Sequence, residues 1–214
     1  MNELLNKGTY VPINHDFMTE GIEVLQSVSS VQEKYDKNDT DTFINELRDS
    51  LVGYKLGYQL VNIEKHGFDC KKSADENIFL EAKQASFDAQ SWQATFNDTT
   101  YEKAEAFKTN QLFLSLAVWK NAADLLFVCY GQNSRIGDFL EKKIDWFKAG
   151  NTVRSTQSIS VTTLVFDYGF KIITIFKTKE QLLEILRNKN RKFLKLNVDD
   201  IMTWEEFRDN DFSL

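Results

Sequence analysis

Three residues in the segment from His66 to Ser86 have side chains suited to catalysis: Asp69, Glu81 and Lys83. The segment reads as two strand-like runs joined by a polar turn centred on Asp75. Asp69 and Glu81 each lie six residues from Asp75, so an antiparallel hairpin folded about that residue places them opposite each other. Directly opposed side chains have Cβ atoms about 4.5 to 5.5 Å apart. The spacing therefore predicts a pair of facing carboxylates.

Alternation along the second run adds Lys83 to this pair. In a strand, Glu81 and Lys83 project from one face and Ala82 from the other. Two facing carboxylates repel each other, and burial increases the repulsion. Mg²⁺ relieves it, because it binds one or two carboxylates and leaves its other positions to water and phosphate oxygens. Such a metal activates water, and Lys83 could orient or help deprotonate that water or stabilise the developing negative charge.

The same tripeptide spacing also has a purely structural explanation. Glu141 and Lys143 repeat the E-x-K pattern, and Asp69 and Lys71 make a D-x-K, in a chain with 27% charged residues. A surface hairpin with a simple cross-strand pairing of Glu and Lys would need no metal and no chemistry. The spacing by itself leaves both interpretations open.

The wider pattern predicts the elements that must position these residues. Apolar residues at helical spacing predict helices over 17–35, from a cap at Asp41 or Thr42 to Tyr54, and over 101–120, 135–148 and 179–187. Runs rich in Val, Ile, Phe and Tyr predict strands near 58–64, 67–71, 78–84, 124–131, 157–166 and 170–176. From residue 41 the order is helix, three strands, helix, strand. This order predicts an α/β fold with a central mixed sheet flanked by helices.

Composition limits the possible classes of protein. The chain has 214 residues with one proline and nine glycines, which predicts a single domain over 1–214 without a flexible linker. Its longest apolar runs are too short to cross a bilayer, and residues 1–9 do not resemble a secretion signal, so we expect a cytoplasmic protein and no membrane partner. Cys70 and Cys129 lack metal-ligand spacing and are expected to be buried. The net charge of −6 argues against a general nucleic-acid coat protein but not against one local basic face.

The motif of Asp69, eleven intervening residues and Glu81-Ala82-Lys83 resembles that of the PD-(D/E)XK nuclease superfamily. Phe68 stands where the motif name has proline. The resemblance covers about residues 41–131 and implies an αβββαβ restriction-endonuclease-like core, with accessory N-terminal and C-terminal elements. It also implies a Mg²⁺ cofactor, replaceable by Mn²⁺, held by Asp69, Glu81 and the main-chain carbonyl of Ala82. A further acidic residue from the preceding helix is implied: we expect Glu46, with Asp49 and Glu64 as the alternatives, although a solvated helix face would explain each of them.

Within that superfamily, a compact chain without helicase or ligase motifs is most similar to the type II restriction endonucleases. The resemblance then implies a homodimer that cuts each strand of a short palindrome in double-stranded DNA. One alternative is a structure-selective repair or recombination nuclease of the same superfamily. Another is a non-catalytic α/β interaction module, which the acidic charge and the aromatic-rich C-terminal segment would suit.

Polar residues that could read bases follow the proposed catalytic strand. Gln and Asn hydrogen-bond adenine edges, and the candidates are Gln84, Gln90, Trp92, Gln93 and Asn97. An ordinary polar loop over 86–100, anchored by its aromatic residues, explains the same segment. Gln84 could instead face the core. The basic residues between Arg187 and Lys195 could contact phosphates or simply complement the end of a helix.

Overall fold

The computed structural model describes residues 9–11, 13–35, 42–62, 68–73, 76–97, 99–151 and 156–210. The α-helices in these ranges are α1 (His15–Tyr35), α2 (Thr42–Lys55), α3 (Tyr101–Lys108), α4 (Arg135–Lys148), α5 (Val161–Phe166), α6 (Lys179–Lys189) and α7 (Trp204–Asp209). The strands are β1 (Thr9–Val11), β2 (Gln59–Asn62), β3 (Cys70–Lys71), β4 (Phe79–Ser86), β5 (Gln93–Phe96), β6 (Leu112–Trp119), β7 (Leu125–Gly131), β8 (Gln157–Ser160), β9 (Lys171–Thr174) and β10 (Ile201–Thr203). Among the described residues, no helix is long and apolar enough to span a membrane.

Eight of the described strands form one mixed sheet in the order β1-β2-β3-β4-β6-β7-β9-β10. The pairs β4–β6 and β9–β10 are parallel, and the other five pairs are antiparallel. Strands β5 and β8 form a separate antiparallel pair. Helices cover both faces of the large sheet, so the predicted α/β class with a central mixed sheet is confirmed.

The core lies in two layers because the strands of the sheet alternate their side chains between its faces. One layer packs the sheet against α3, α4 and α6, and the other packs it against α1, α2 and α7. Strand β6 contributes to both layers: all eight of its residues are buried, with Leu114 in the first layer and Phe113 in the second. A strand covered on both faces is expected at the centre of such a sheet.

The hairpin of β3 and β4 has the register predicted from its turn. Cys70 pairs with Leu80 and Lys71 with Phe79, which is the pairing of a hairpin centred on residue 75. One position further on, the main-chain N–H of Asp69 donates to the carbonyl of Leu80 over 3.1 Å. Asp69 therefore lies just past the paired residues of the β3–β4 ladder, close enough to Glu81 for their charges to interact.

The predicted helix over 101–120 is wrong in its second half. Helix α3 ends at Lys108, and β6 begins at Leu112. The run from Leu112 to Trp119 is apolar at nearly every position, and such a run fits a buried strand as well as a buried helix when periodicity is the only guide. The correction makes α3 the crossover between parallel strands β4 and β6, which places it on one face of the sheet.

Two other predictions need correction. The segment 157–166 is not one strand: β8 ends at Ser160, whose side chain accepts from the N–H of Thr163 and caps α5. The segment 86–100 is not only a loop, because β5 lies within it and pairs with β8. Its residues Ala94 and Phe96 are buried, while Gln93 and Thr95 are partly exposed. Buried and partly exposed side chains therefore alternate along β5, and the buried ones help to stabilise its pairing with β8.

Candidate active site

Asp69, Glu81 and Lys83 come together at the end of the β3–β4 ladder. The Asp69 carboxylate accepts from the main-chain N–H of Ala82 over 2.7 Å. The Ala82 N–H thus donates to a side-chain oxygen, where a longer β3 would have supplied a main-chain carbonyl. Lys83 Nζ lies 2.6 Å from Oε1 of Glu81. The predicted convergence of the three side chains is present in the structure.

Glu81 is the most buried charged residue of this group, with a side chain that is 2% exposed. Its Oε1 receives two ammonium groups, those of Lys83 at 2.6 Å and Lys103 at 2.5 Å. Its Oε2 is buried and has no hydrogen-bond partner in the described part of the chain. A buried carboxylate oxygen without a partner is costly, so this atom is suited to receive a ligand.

Lys103 is the residue that sequence reasoning missed. It lies in the first turn of α3, where the Thr100 hydroxyl accepts from its main-chain N–H over 3.3 Å. The parallel β4–α3–β6 crossover brings this turn over the face of β4 that carries Glu81. A prediction of the strand at 112–119 would have revealed Lys103, because a helix that connects two parallel strands must lie over the face of their sheet.

The charges at the site shift the pKa values of the two carboxylates in opposite directions. Burial and the negative charge of Glu81 raise the pKa of Asp69 to about 6. Burial would also raise the pKa of Glu81, but the Lys83 and Lys103 ammonium groups hold it below its ordinary value. Burial would lower the pKa of Lys83, but Glu81 and Asp69 hold it above its ordinary value. Lys83 is therefore held as a cation, which favours charge stabilisation over the role of a base.

Replacing Asp69 with asparagine is expected to stabilise the metal-free protein at neutral pH. The folded-state pKa of about 6 lies above the ordinary value, so the wild type loses stability as the pH rises from about 4 through 6. The amide introduced by Asp69→Asn keeps an acceptor for the Ala82 N–H but has no proton to lose. The gain should be near zero at pH 4 and about 1 to 3 kcal/mol at pH 8.

Urea unfolding in EDTA across pH 4 to 8 measures this effect. Asp88→Asn, a change at an exposed turn residue, is the matched control and should follow the wild-type curve. A variant Asp69→Asn that is less stable than the wild type at pH 8 would show that ionised Asp69 stabilises the metal-free fold.

A cleft of about 310 Å³ runs along β4 from Ala82 to Ser86 and against the helix α2 residues Asn45 and Asp49, and Lys83 is the member of the site that lines it. On this side, no described strand pairs with β4 beyond its first two residues. The Asp49 carboxylate accepts from the Gln84 amide, and the Gln84 carbonyl accepts from Trp119 Nε1. Burial and the charge of Asp69 raise the pKa of Asp49. Asp49 is thus the carboxylate that lines the cleft.

Of the three candidates for the acidic residue that assists the site, Asp49 is the one whose side chain the structure describes. Asp49 is in the cleft and is electrostatically linked to Asp69, Lys83 and Glu81. Glu46 lies one turn earlier on α2, and its side chain is outside the described part, so its role stays a prediction. Glu64 lies outside the described residues. Of the three candidates, Asp49 is the one that the structure places at the site.

No known protein-family model, curated protein or solved structure matches this chain. The resemblance to PD-(D/E)XK nucleases therefore rests on the motif residues and the order of elements.

The residues expected to contact DNA bases differ in their exposure and in the hydrogen bonds that they already make within the protein. Gln90 and Asn97 are exposed, and Asn97 accepts from the Thr156 hydroxyl over 3.1 Å. Gln93 is partly exposed and donates to the Ser91 hydroxyl over 2.7 Å. Both ends of the Gln84 amide are hydrogen-bonded within the protein, facing α2. Gln90, Gln93 and Asn97 thus remain candidates for DNA contact, while Gln84 lines the cleft wall.

The prediction that Trp92 contacts DNA is wrong, because its side chain is part of the core. Trp92 is 2% exposed, its Nε1 donates to the carbonyl of Phe87 over 3.1 Å, and its ring packs against Phe127 and Phe193. The basic segment is partly structural too: Lys189 donates to the carbonyls of Phe87 and Ala89. Trp92 is thus an anchor for the segment after β4.

Trp92→Ala should lower the free energy of unfolding by about 3 to 5 kcal/mol, because it leaves a large cavity in the core. Trp146→Ala is the control, since Trp146 is 56% exposed and its loss should cost less than about 1 kcal/mol. Urea denaturation compares the two. A small loss of stability together with weakened DNA binding would instead support contact of Trp92 with bases.

Proposed function

We propose that this chain is a magnesium-dependent DNA endonuclease with its active centre at Asp69, Glu81 and Lys83. One observation carries the proposal: the buried Glu81 and the half-buried Asp69 come together with Lys83, which lines an open cleft, and Glu81 Oε2 has no partner among the described residues. A simple surface hairpin would leave its Glu–Lys pair in solvent. Two ammonium groups compensate the charge of Glu81, so the cost of burial falls on its unpartnered Oε2 and on Asp69.

The donor set fits a hard divalent cation. Among the described residues, no group of three or more His, Cys, Asp or Glu side chains is placed to hold a metal ion. Mg²⁺ does not need one, because it commonly takes one or two carboxylates and keeps water and phosphate oxygens in its other positions. Asp69, Glu81 and the main-chain carbonyl of Ala82 would hold it, and Mn²⁺ accepts the same oxygen ligands. Asp49 could add a ligand through water, and Glu46 stays the alternative.

Bound Mg²⁺ would lower the pKa of a water molecule and offset charge on the scissile phosphate. The protein's own residues would act around that chemistry. The Ala82 N–H fixes the orientation of the Asp69 carboxylate. Lys103 neutralises Glu81 and holds Oε1, which leaves Oε2 as the open oxygen. Lys83, held as an ammonium, would stabilise the negative charge that develops on the phosphate. Lys103 is thus a positioning residue.

The substrate we propose is double-stranded DNA, cut at a short palindrome by a cytoplasmic homodimer of the type II restriction class. This part of the proposal rests on the motif resemblance. Two-fold symmetry in the enzyme would match that of a palindromic site. With a net charge of −6, the chain needs a local basic face for phosphate contact.

Digestion of a mixed DNA substrate in Mg²⁺, followed by sequencing of the fragment ends, tests this function. A site-specific enzyme gives discrete fragments whose ends share one sequence. Cuts confined to junctions or strand ends would overturn the restriction class in favour of a structure-selective nuclease. Intact DNA at every enzyme concentration would overturn the nuclease proposal.

A further inference from the structure

A second cavity, of about 520 Å³, lies at the other end of α2 from the cleft. Four basic side chains from separate parts of the chain line it: His15, Lys55, Lys72 and Arg208. They come from the start of α1, the end of α2, the residue after β3 and helix α7. Of the described residues that line this cavity, none is acidic. In a chain with a net charge of −6, the three cations Lys55, Lys72 and Arg208 around one cavity favour an anionic ligand.

Lys55 is one of the cations that line this cavity. Burial lowers its pKa, and its ammonium lies 5.3 Å from the centre of the Trp204 ring. Nearby carboxylates are outside the lining: Glu205 acts on Lys55 through its charge, and Asp209 accepts from Arg208 over 3.4 Å. Within the ranges that the structure describes, no carboxylate is in ion-pair contact with the Lys55 ammonium. A partly desolvated cation in this state gains from an anion that enters the cavity.

The remaining wall of the cavity is aromatic. Tyr54, Tyr130, Trp204 and Phe207 line it. Phe207 packs edge-on against Tyr130 and is stacked with Trp204, while the Tyr130 hydroxyl is hydrogen-bonded to that of Tyr58 over 2.7 Å. This side of the cavity is thus largely aromatic, and the Tyr130 hydroxyl is engaged within the protein. Aromatic walls of this kind favour a flat ring over a small inorganic ion.

We propose that this cavity binds a nucleoside phosphate, either free or as the terminal nucleotide of a DNA strand. Lys55 and Lys72 would bind the phosphate, with the exposed Arg208 and His15 at the rim, and the base would lie against the aromatic wall. The proposal goes beyond the endonuclease activity and does not rest on it, since none of these residues belongs to the cleft. Asp49 and Lys55 are six residues apart, which on a helix is about 9 Å along the axis.

Calorimetric titration of the full chain in EDTA tests the proposal with three probes: thymidine 5′-monophosphate, inorganic phosphate and a short 5′-phosphorylated oligothymidylate. We expect the mononucleotide to bind at least about tenfold more tightly than phosphate, because phosphate lacks the ring. Binding of the oligonucleotide without binding of the mononucleotide assigns the site to a DNA strand end. Equal affinity for phosphate and nucleotide, or no binding of any probe, overturns the proposal.

Matched variants locate the binding. Lys55→Met and Lys72→Met each keep the apolar stem and should weaken the tightest probe about tenfold by removing one charged contact. Lys142→Met, on the exposed side of α4, should bind as the wild type does. Circular dichroism and thermal unfolding establish that each variant is folded, and Lys72→Met decides the matter should Lys55→Met unfold. Unchanged affinity in a folded Lys72→Met variant overturns the proposal.

Discussion

Glu81→Gln is expected to abolish DNA cleavage and to destabilise the protein at the same time. Glutamine keeps the shape of the side chain but removes the charge that would hold Mg²⁺. Loss of several kcal/mol of transition-state stabilisation corresponds to a fall of at least about a thousandfold in the single-turnover rate. The same change leaves the ammonium groups of Lys83 and Lys103 without the carboxylate that they share.

The stability effect separates Glu81 from an ordinary surface glutamate. Removing one partner of a buried ion pair costs about 3 to 5 kcal/mol, and we expect about 2 to 3 kcal/mol because the lysine side chains remain 22% and 24% exposed. Asp69→Asn should show the opposite sign at neutral pH, since Asp69 has a raised pKa. Urea unfolding in EDTA gives both values. A Glu81→Gln variant more stable than the wild type would contradict this electrostatic description.

The chain provides its own control for Glu81. Glu141 begins a second E-x-K sequence with Lys143, but it lies on α4 with a side chain that is 40% exposed, 3.0 Å from Lys108. Glu141→Gln should change the free energy of unfolding by less than about 1 kcal/mol and leave cleavage unchanged. Equal effects of the two substitutions on cleavage would mean that Glu81 has no special role.

Lys83→Met is expected to lower the rate of the chemical step by about two to four orders of magnitude. The methionine keeps the apolar stem beside the Phe96 ring, which lies 5.7 Å from Lys83 Nζ. DNA affinity in Ca²⁺, which binds to the same kind of oxygen ligands, should change by less than about threefold. Single-turnover cleavage in Mg²⁺ isolates the chemistry.

A pH profile distinguishes the two possible roles of Lys83. The carboxylates of Glu81 and Asp69 hold its pKa above the ordinary value, so the loss in Lys83→Met should be the same from pH 6 to 9. A base would give a loss that grows with pH. Lys143→Met is the control on α4. Lost DNA affinity in Ca²⁺ together with normal cleavage at saturating DNA would make Lys83 a phosphate anchor and overturn the assignment.

The part of the site set by local geometry could be predicted from the sequence. A hairpin turn fixes the register of its two strands, so the position of Asp75 was enough to bring Asp69 near Glu81. Strand alternation then added Lys83. By contrast, Asp49 and Glu46 lie on neighbouring positions of one helix face. Their spacing in the sequence therefore does not tell which of them assists the metal site.

The parts that were missed depend on tertiary packing. The run from Leu112 to Trp119 lacks the alternation that distinguishes strand from helix, because it is buried on both faces. Without that strand, α3 could not be recognised as a crossover, and Lys103 could not be placed beside Glu81. Trp92 has a side chain suited both to base contact and to a core, and only its burial decides between them.

The most direct test of the central claim is cleavage of supercoiled plasmid by the wild type and by the double variant Asp69→Asn/Glu81→Gln, purified in the same way. We predict that the wild type cuts in Mg²⁺ and in Mn²⁺ and stops in EDTA, while the double variant leaves the plasmid intact under all three conditions. Cleavage by the double variant at the wild-type rate, or an intact plasmid with the wild type in both metals, would contradict a nuclease site at Asp69, Glu81 and Lys83.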